Sequence, residues 1–248
     1  MTQETIERPE PTKLKAIYNT RISLQKFRIQ AGNRVAAVER GADDLEDDVT
    51  VAYQRIHASA QEWESIIDEL AEAELAAFPV YDTWLKHVKG IGPMLAVQLL
   101  ALLHEPTPER GPSSWTKAAG MDPRPRPDGT NRMPRPRAGE GTITYHPGLR
   151  KALYLIATSF VRGGGYYRTV YEQRKARVLA QHTGDKDWPP HRIDAVARWM
   201  TVRLFLSHLW EEYSKALGQG QGRRAYVLDV LNHPHYIPPS HWGGKTKM

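Results

Sequence analysis

Five arginines, Arg124, Arg126, Arg132, Arg135 and Arg137, crowd into the stretch "RPRPDGTNRMPRPR", in which Asp128 is the one acid. Guanidinium groups at that density suit phosphate oxygens, which they meet with forked, charge-assisted hydrogen bonds. A second constellation stands upstream in "HVKGIGPMLAVQLL". There Gly90 and Gly92 bracket Ile91, Pro93 follows, and Ala96 lies four residues past the second glycine. Each type has a physical use. The glycines permit a positive φ and a close approach. Ile91 plugs between two helices, and Pro93 suits a first helical position because its missing N–H would be unpaired there in any case. The spacing predicts a helix-hairpin-helix turn with the amides of Gly92, Met94 and Leu95 facing outward, a phosphate site at a helix N-terminus. Lys86 and Lys89 add positive charge from before the turn, and Arg150 and Lys151 add it from a later helix start. Contacts of this kind position a nucleic-acid backbone without reading its bases.

Other constellations carry less chemistry. His233, His235 and His241 form H-x-H-x5-H, a donor set zinc accepts, but the tail around them offers no carboxylate. No metal site is expected. Asp43, Asp44, Glu46, Asp47 and Asp48 fall within one or two helical turns and read as a helix start. The first aspartate after the turn is Asp122, in a Pro-rich stretch and too far on for a helix-hairpin-helix glycosylase. No catalytic residue and no cofactor is assigned.

The elements that must position these groups are helical. Leu45, Val49, Ala52, Ile56, Ser59, Trp63, Ile66, Leu70, Ala73 and Ala77 alternate steps of four and three, a heptad seam. They predict a helix from about residue 44 to 77, roughly 50 Å long, capped by Asp43 or Asp44. Upstream, Ile17, Leu24, Ala31 and Val38 stand one heptad apart, with Arg21 and Arg28 interrupting the companion row. Gly41 is placed to turn the first helix back on the second as a hairpin or coiled coil, within one chain or between two. A short helix over about 80–89 leads to the turn, and the apolar run after it, 93–104, should be buried nearly all round. Residues 120–148 are too rich in Pro, Gly and Arg for a lasting helix, and "TITYH" reads as one arm of a short β-hairpin turned at "DGTN". Helices resume over 147–162, 166–182 and 192–217, where Trp199, Phe205, Leu209 and Trp210 read as core, and a short one near 224–231 precedes the tail. The expected fold is mostly α. Its parts are a disordered 1–11, a hairpin or coiled coil over 12–78, a helix-hairpin-helix domain with the Arg/Pro-rich loop over 79–217, and a C-terminal short helix and flexible tail over 218–248.

The 248 residues carry a net charge of +6, unevenly spread. Residues 39–74 hold 12 acids against Arg40 and Arg55, a balance of 2 − 12 = −10. Residues 120–177 hold 12 basic residues against Asp122, Asp128, Glu140 and Glu172, a balance of 12 − 4 = +8. The second region suits a polyanion and the first repels one. No run is long and apolar enough for a membrane span, and the N-terminus lacks a signal-peptide core. Zero cysteines exclude a disulfide framework, and a cytoplasmic, nucleoid-associated location is expected.

In order along the chain, "VKGIGPMLAVQLLALL", "SSWTKAAGMDPRPRPDG", "TITYHPGLRKALYLIATSFVR", "YYRTVYEQRKARVL" and "RIDAVARWMTVRLFLSHLWEEY" resemble the C-terminal domain of the DEDD-type insertion-sequence transposases, the insertion-sequence one-ten or IS116/IS902-type family. In that family a RuvC-like domain carries a DEDD metal site and a loop serine of the C-terminal domain is the nucleophile. The resemblance therefore implies DNA recombination, transposition and a mobile-element origin. The chain departs from the pattern twice. About 43 residues precede the long helix, too few for a RuvC-like domain, and the loop reads "PRPRPDGTN", with Asp128 before Gly129 and Thr130 after it. The reading is a DNA-binding, transposase-like protein, with structured RNA as a second ligand class, a homo-oligomer through its long helices, and no strand transfer on its own. Two alternatives stand beside it: a recombinase subunit whose metal domain, with Mg²⁺, is a separate chain, and a protein-interaction module acting through the acidic coiled coil.

Overall fold

The computed structural model describes residues 11–107, 110–125, 131–133, 145–218 and 237–239. The chain divides into two compact units, Met1–Phe78 and Pro79–Met248.

The first unit is a hairpin of α1 (Pro11–Glu39) and α2 (Asp47–Leu75). Gly41 turns it: its φ is +65°, its amide bonds the Val38 carbonyl at 2.8 Å, and the Ala42 amide bonds the Ala37 carbonyl at 2.9 Å. That paired closure, with glycine in the left-handed region, ends a helix cleanly. The expected Asp43 or Asp44 cap is not what starts α2. Residue 46 is the N-cap, and Asp43 instead accepts from Arg34 at 3.0 Å.

Arg21 and Arg28 break the apolar row of α1 because α2 answers them. Arg21 meets Glu64 at 2.9 Å and Asp68 at 2.8 Å, and Arg28 meets Glu64 at 2.9 Å. The α2 residues buried in the structure are Ala60, Glu64, Ala71 and Leu75. The heptad seam does not supply the packed face; Val49, Ile56, Trp63, Ile66 and Leu70 are exposed. The two arginines explain the choice, since an apolar seam could not have neutralised them.

The second unit contains α3 (Pro79–Thr83), a 3-10 turn (Leu85–His87), α4 (Pro93–Leu102), α5 (Ser113–Ala118), α6 (Pro147–Gly163), α7 (Tyr166–Gln181) and α8 (Pro190–Ala216). The continuous helix expected over 80–89 is instead broken at Trp84, whose ring is buried and stacks on Phe205 at 5.8 Å. α8 is the spine, and its Phe205 meets Phe160 of α6 at 5.3 Å and Tyr167 of α7 at 5.5 Å, both edge-on. Such edge-to-face contacts add to the area each ring buries. Leu209 is buried with Phe205, whereas Trp199 and Trp210 are only half-buried. The Trp210 indole N–H donates to the Arg110 carbonyl at 3.0 Å. α4 is buried through Ala96, Val97, Gln98, Leu99 and Leu100, as its apolar run requires.

A two-residue antiparallel pairing joins β1 (Arg124–Pro125) to β2 (Asn131–Arg132), with Arg124 opposite Arg132. The strand pairing therefore uses other arms than expected. Of "TITYH", residues 142–144 lie outside the described residues. Tyr145 and His146 are not strand: the His146 amide bonds the Ala118 carbonyl at 2.8 Å, and its ring Nδ1 caps α6 by accepting from the Leu149 amide at 3.1 Å. The helix expected near 224–231 also lies outside the described residues.

Candidate nucleic-acid interface

The turn that joins the 3-10 element to α4 is built from inside outward. Val88 and Ile91 are buried, and the Ile91 amide bonds the Val88 carbonyl at 3.0 Å. Ile91 is thus buried within the turn. Gly90 has φ +99°, and a Cβ there would stand 3.1 Å from the Phe160 ring and 3.4 Å from the Ser159 backbone. Conformation and space both demand glycine at this position. The Ser159 hydroxyl donates to the Gly90 carbonyl at 2.6 Å, which ties the turn to α6.

Gly92 is different. It is the N-cap of α4, with φ −91° and ψ 170°, extended values open to any residue. A Cβ there would meet nothing within 4 Å, and the residue is exposed. Neither the backbone nor the packing requires glycine, and Ser, Asn or Asp would cap the helix better. Pro93 takes the first helical position, as expected. Met94 is half-exposed beside the turn. The Leu95 amide does not face outward: it bonds the Gly92 carbonyl at 3.1 Å inside the first turn, which narrows the expected amide set to Gly92 and Met94.

The cations divide similarly. Lys86 is exposed but pairs with Asp82 at 2.6 Å, so part of its charge is spent locally. Lys89 is exposed, and its stem lies along the glycines between α6 and α7. A Cβ on Gly165 would stand 3.1 Å from the Lys89 Cβ, and one on Gly164 would stand 3.8 Å from its Nζ. A Cβ on Gly163 would be 3.6 Å from the Gly90 Cα. The Gly163–Gly165 run, legible in sequence only as a helix stop, is therefore the surface on which the turn and Lys89 rest. Ser159 was equally unmarked, because a serine inside an amphipathic helix carries no sequence signal of its partner.

Arg150 of α6 lies over the Tyr145 ring at 5.0 Å and the Trp199 ring at 5.9 Å, a cation–π setting that holds its guanidinium at the helix start. Lys151 beside it is exposed. In the Arg-rich loop, the backbone of Arg124 and Arg132 is brought face to face by the strand pairing. Arg126, Arg135 and Arg137 lie outside the described residues, as do Asp128, Thr130, His233, His235 and His241. Among the described residues no group of three or more His, Asp or Glu side chains is placed to hold a metal ion. No described helix is long and apolar enough to cross a membrane.

Behind this surface a charged knot joins α6, α7 and α8. Asp194 accepts from the Tyr171 hydroxyl, from Lys175 at 3.2 Å and from Arg198 at 2.6 Å, and Arg198 reaches Thr158 at 3.3 Å. Burial works against ionising Asp194, but the bonds from Tyr171, Arg198 and Lys175 outweigh it and hold its pKa below the ordinary value. Deeper still, the buried Tyr167 hydroxyl and His208 Nδ1 are 2.8 Å apart, and His208 Nε2 lies 2.8 Å from the Ile237 carbonyl. The carbonyl can only accept, so Nε2 carries the proton and Nδ1 accepts from the tyrosine. Burial pushes the Tyr167 pKa well up, which keeps it a donor.

No curated protein and no solved structure matches the chain. The segment that holds the turn, the arginine strands, α6 and the first part of α7 does match a known family: residues 82–172 fit the model of the Transposase IS116/IS110/IS902 family, to which this part of the chain is related.

Proposed function

We propose that the chain is a nucleic-acid-binding protein of the transposase kind, which grips the backbone of duplex or branched DNA, and of structured RNA by the same chemistry. The observation that carries this reading is Gly92: a residue without a side chain where neither fold nor packing asks for one leaves clearance for a group from outside. A phosphate approaching there meets the amides of Gly92 and Met94 at the start of α4, in the manner of a helix-hairpin-helix. Lys89 stands beside it, and Arg150, Lys151 and the arginine loop extend the positive surface. The relation of residues 82–172 to insertion-sequence transposases supports DNA as the ligand and a role in transposition or recombination in a mobile element. Asp128, standing where that family is expected to carry its loop serine, supports binding without strand transfer, because a carboxylate does not replace a serine nucleophile. A cytoplasmic, nucleoid-associated location follows from this ligand, and the long helices pair copies of the chain.

The test is binding of the full chain to unrelated DNA sequences across a salt series. The logarithm of the affinity should fall linearly with the logarithm of salt, with a slope near −0.9 per phosphate contacted. Charge reversal at Lys89, Arg135 and Arg137 should flatten it. Absent or salt-independent binding overturns the reading in favour of a protein-interaction module. A nick or a covalent protein–DNA adduct in Mg²⁺ would replace it with that of a recombinase subunit.

A further inference from the structure

The heptad row of α2 faces solvent: Val49 is 37% exposed, Ile56 47%, Trp63 53%, Ile66 56% and Leu70 46%. Single exposed apolar residues are ordinary. A row repeating every three and four residues over about 36 Å of helix is not, and marks a surface with a partner. The hairpin leaves it unused because α1 takes the neighbouring face through Ala60, Glu64 and Ala71.

We infer that this row pairs with the same row of a second copy of the chain, and that the two α2 helices run antiparallel. Side-chain volume fixes the direction. One edge of the row is Val49, Ile56, Trp63 and Leu70, and the other is Ala52, Ser59, Ile66 and Ala73. In a parallel pair each edge meets itself, so a layer of two tryptophans would sit directly next to a layer of two serines. One interhelical distance cannot close both. In an antiparallel pair the edges meet each other: Val49 faces the partner's Ala73, Ala52 its Leu70, Ile56 its Ile66 and Ser59 its Trp63. Every layer then joins a large residue to a small one, or two isoleucines. The structure holds a matching hole, a shallow groove lined by Asp47, Asp48, Val51, Ala52, Arg55 and Ile56, where the partner's Leu70 arrives.

Charge favours the same direction. Flanking the row are Asp48, Arg55, Glu62 and Glu69. The antiparallel register sets Arg55 beside the partner's Glu69, twice by symmetry, against one Glu62–Glu62 approach at the two-fold axis. A parallel register would put Arg55 beside an alanine and Glu69 beside Glu74, with no attraction to offset the repulsion. The acidic character of α2 also argues against a polyanion or an anionic membrane as the occupant.

The inference refines the pairing of copies stated above and does not depend on nucleic-acid binding. The chain has no cysteine, so introduced thiols report without background. Light scattering on the full chain, without nucleic acid, should show a dimer that dissociates on dilution. Trp63→Glu should give a monomer with an unchanged helical circular-dichroism signal, and Lys89→Glu should stay dimeric. Ile56→Cys and Ile66→Cys variants, mixed and bridged by a short thiol linker, should cross-link to each other and neither to itself. A monomer at every concentration overturns the inference. Self-cross-linking of each variant overturns the antiparallel direction, and a dimer that persists in Trp63→Glu shows that another surface makes it.

Discussion

On the proposed reading, the two glycines of one turn separate folding from binding. Gly90 sits at positive φ against Phe160, so Gly90→Ala should cost about 1–3 kcal/mol of stability, read as a lower denaturant midpoint with an unchanged slope. Gly92→Asp should do the reverse: a better N-cap keeps stability within about 0.5 kcal/mol or raises it, while a carboxylate at the turn abolishes binding to DNA. Loss of stability in Gly92→Asp would show that the fold, not a ligand, selects the glycine. Asp194 makes a pH-dependent contribution. Its folded pKa is depressed, so the stability it confers is fully present above the ordinary aspartate value of about 3.9 and is lost as pH falls through the lower folded value. Asp194→Asn should lower the profile above that value and so flatten its acid limb.

The elements show what a sequence can and cannot announce. α1, α2, α6, α7 and α8 were legible to within about three residues because their apolar periods are long, and α4 because ten residues of continuous apolarity admit little else. The break at Trp84 was not legible: nothing local stops a helix there, and the stop comes from a ring packed on Phe205, more than a hundred residues away. The face that α2 turns to α1 was not legible for a related reason. Periodicity finds an apolar row but not its partner, and in this hairpin the partner was selected by Glu64 and Asp68 answering Arg21 and Arg28. The Glu64 side chain is only 8% exposed. Glu64→Ala would strand the partly buried Arg28 guanidinium and leave Arg21 with Asp68 alone, and should cost about 2–3 kcal/mol in urea unfolding of the full chain. A loss below about 0.5 kcal/mol would mean that solvent already screens the pairs. The turn, with Gly90, Ile91, Gly92 and Pro93, was readable as a motif. The surface beneath it, made by Ser159 and Gly163–Gly165, was not, since those contacts cross some seventy residues of chain.

At the scale of the whole molecule, net charge is sorted by unit: residues 1–78 hold 9 basic against 15 acidic residues, and residues 79–248 hold 25 against 13. On the proposed reading, a polyanion bound by the basic unit is repelled by the acidic one, which leaves the hairpin to the inferred pairing of copies. Joining two weak backbone-gripping sites raises apparent affinity without new contacts. Trp63→Glu should therefore weaken binding to long duplex DNA by roughly 10²-fold while leaving the salt slope per chain as it was. An equal loss on a duplex too short for two sites would point to damage within one chain instead.

The bond from Ser159 to the carbonyl of Gly90 has a thermodynamic corollary. Because the turn is braced from behind, the proposed phosphate at Gly92 would find its donors already in place and have little chain to order. Calorimetry on a short oligonucleotide should accordingly record a small heat-capacity change, with counterion release supplying most of the favourable entropy. Ser159→Ala, by loosening the brace, should leave the binding enthalpy close to where it was and make the entropy less favourable.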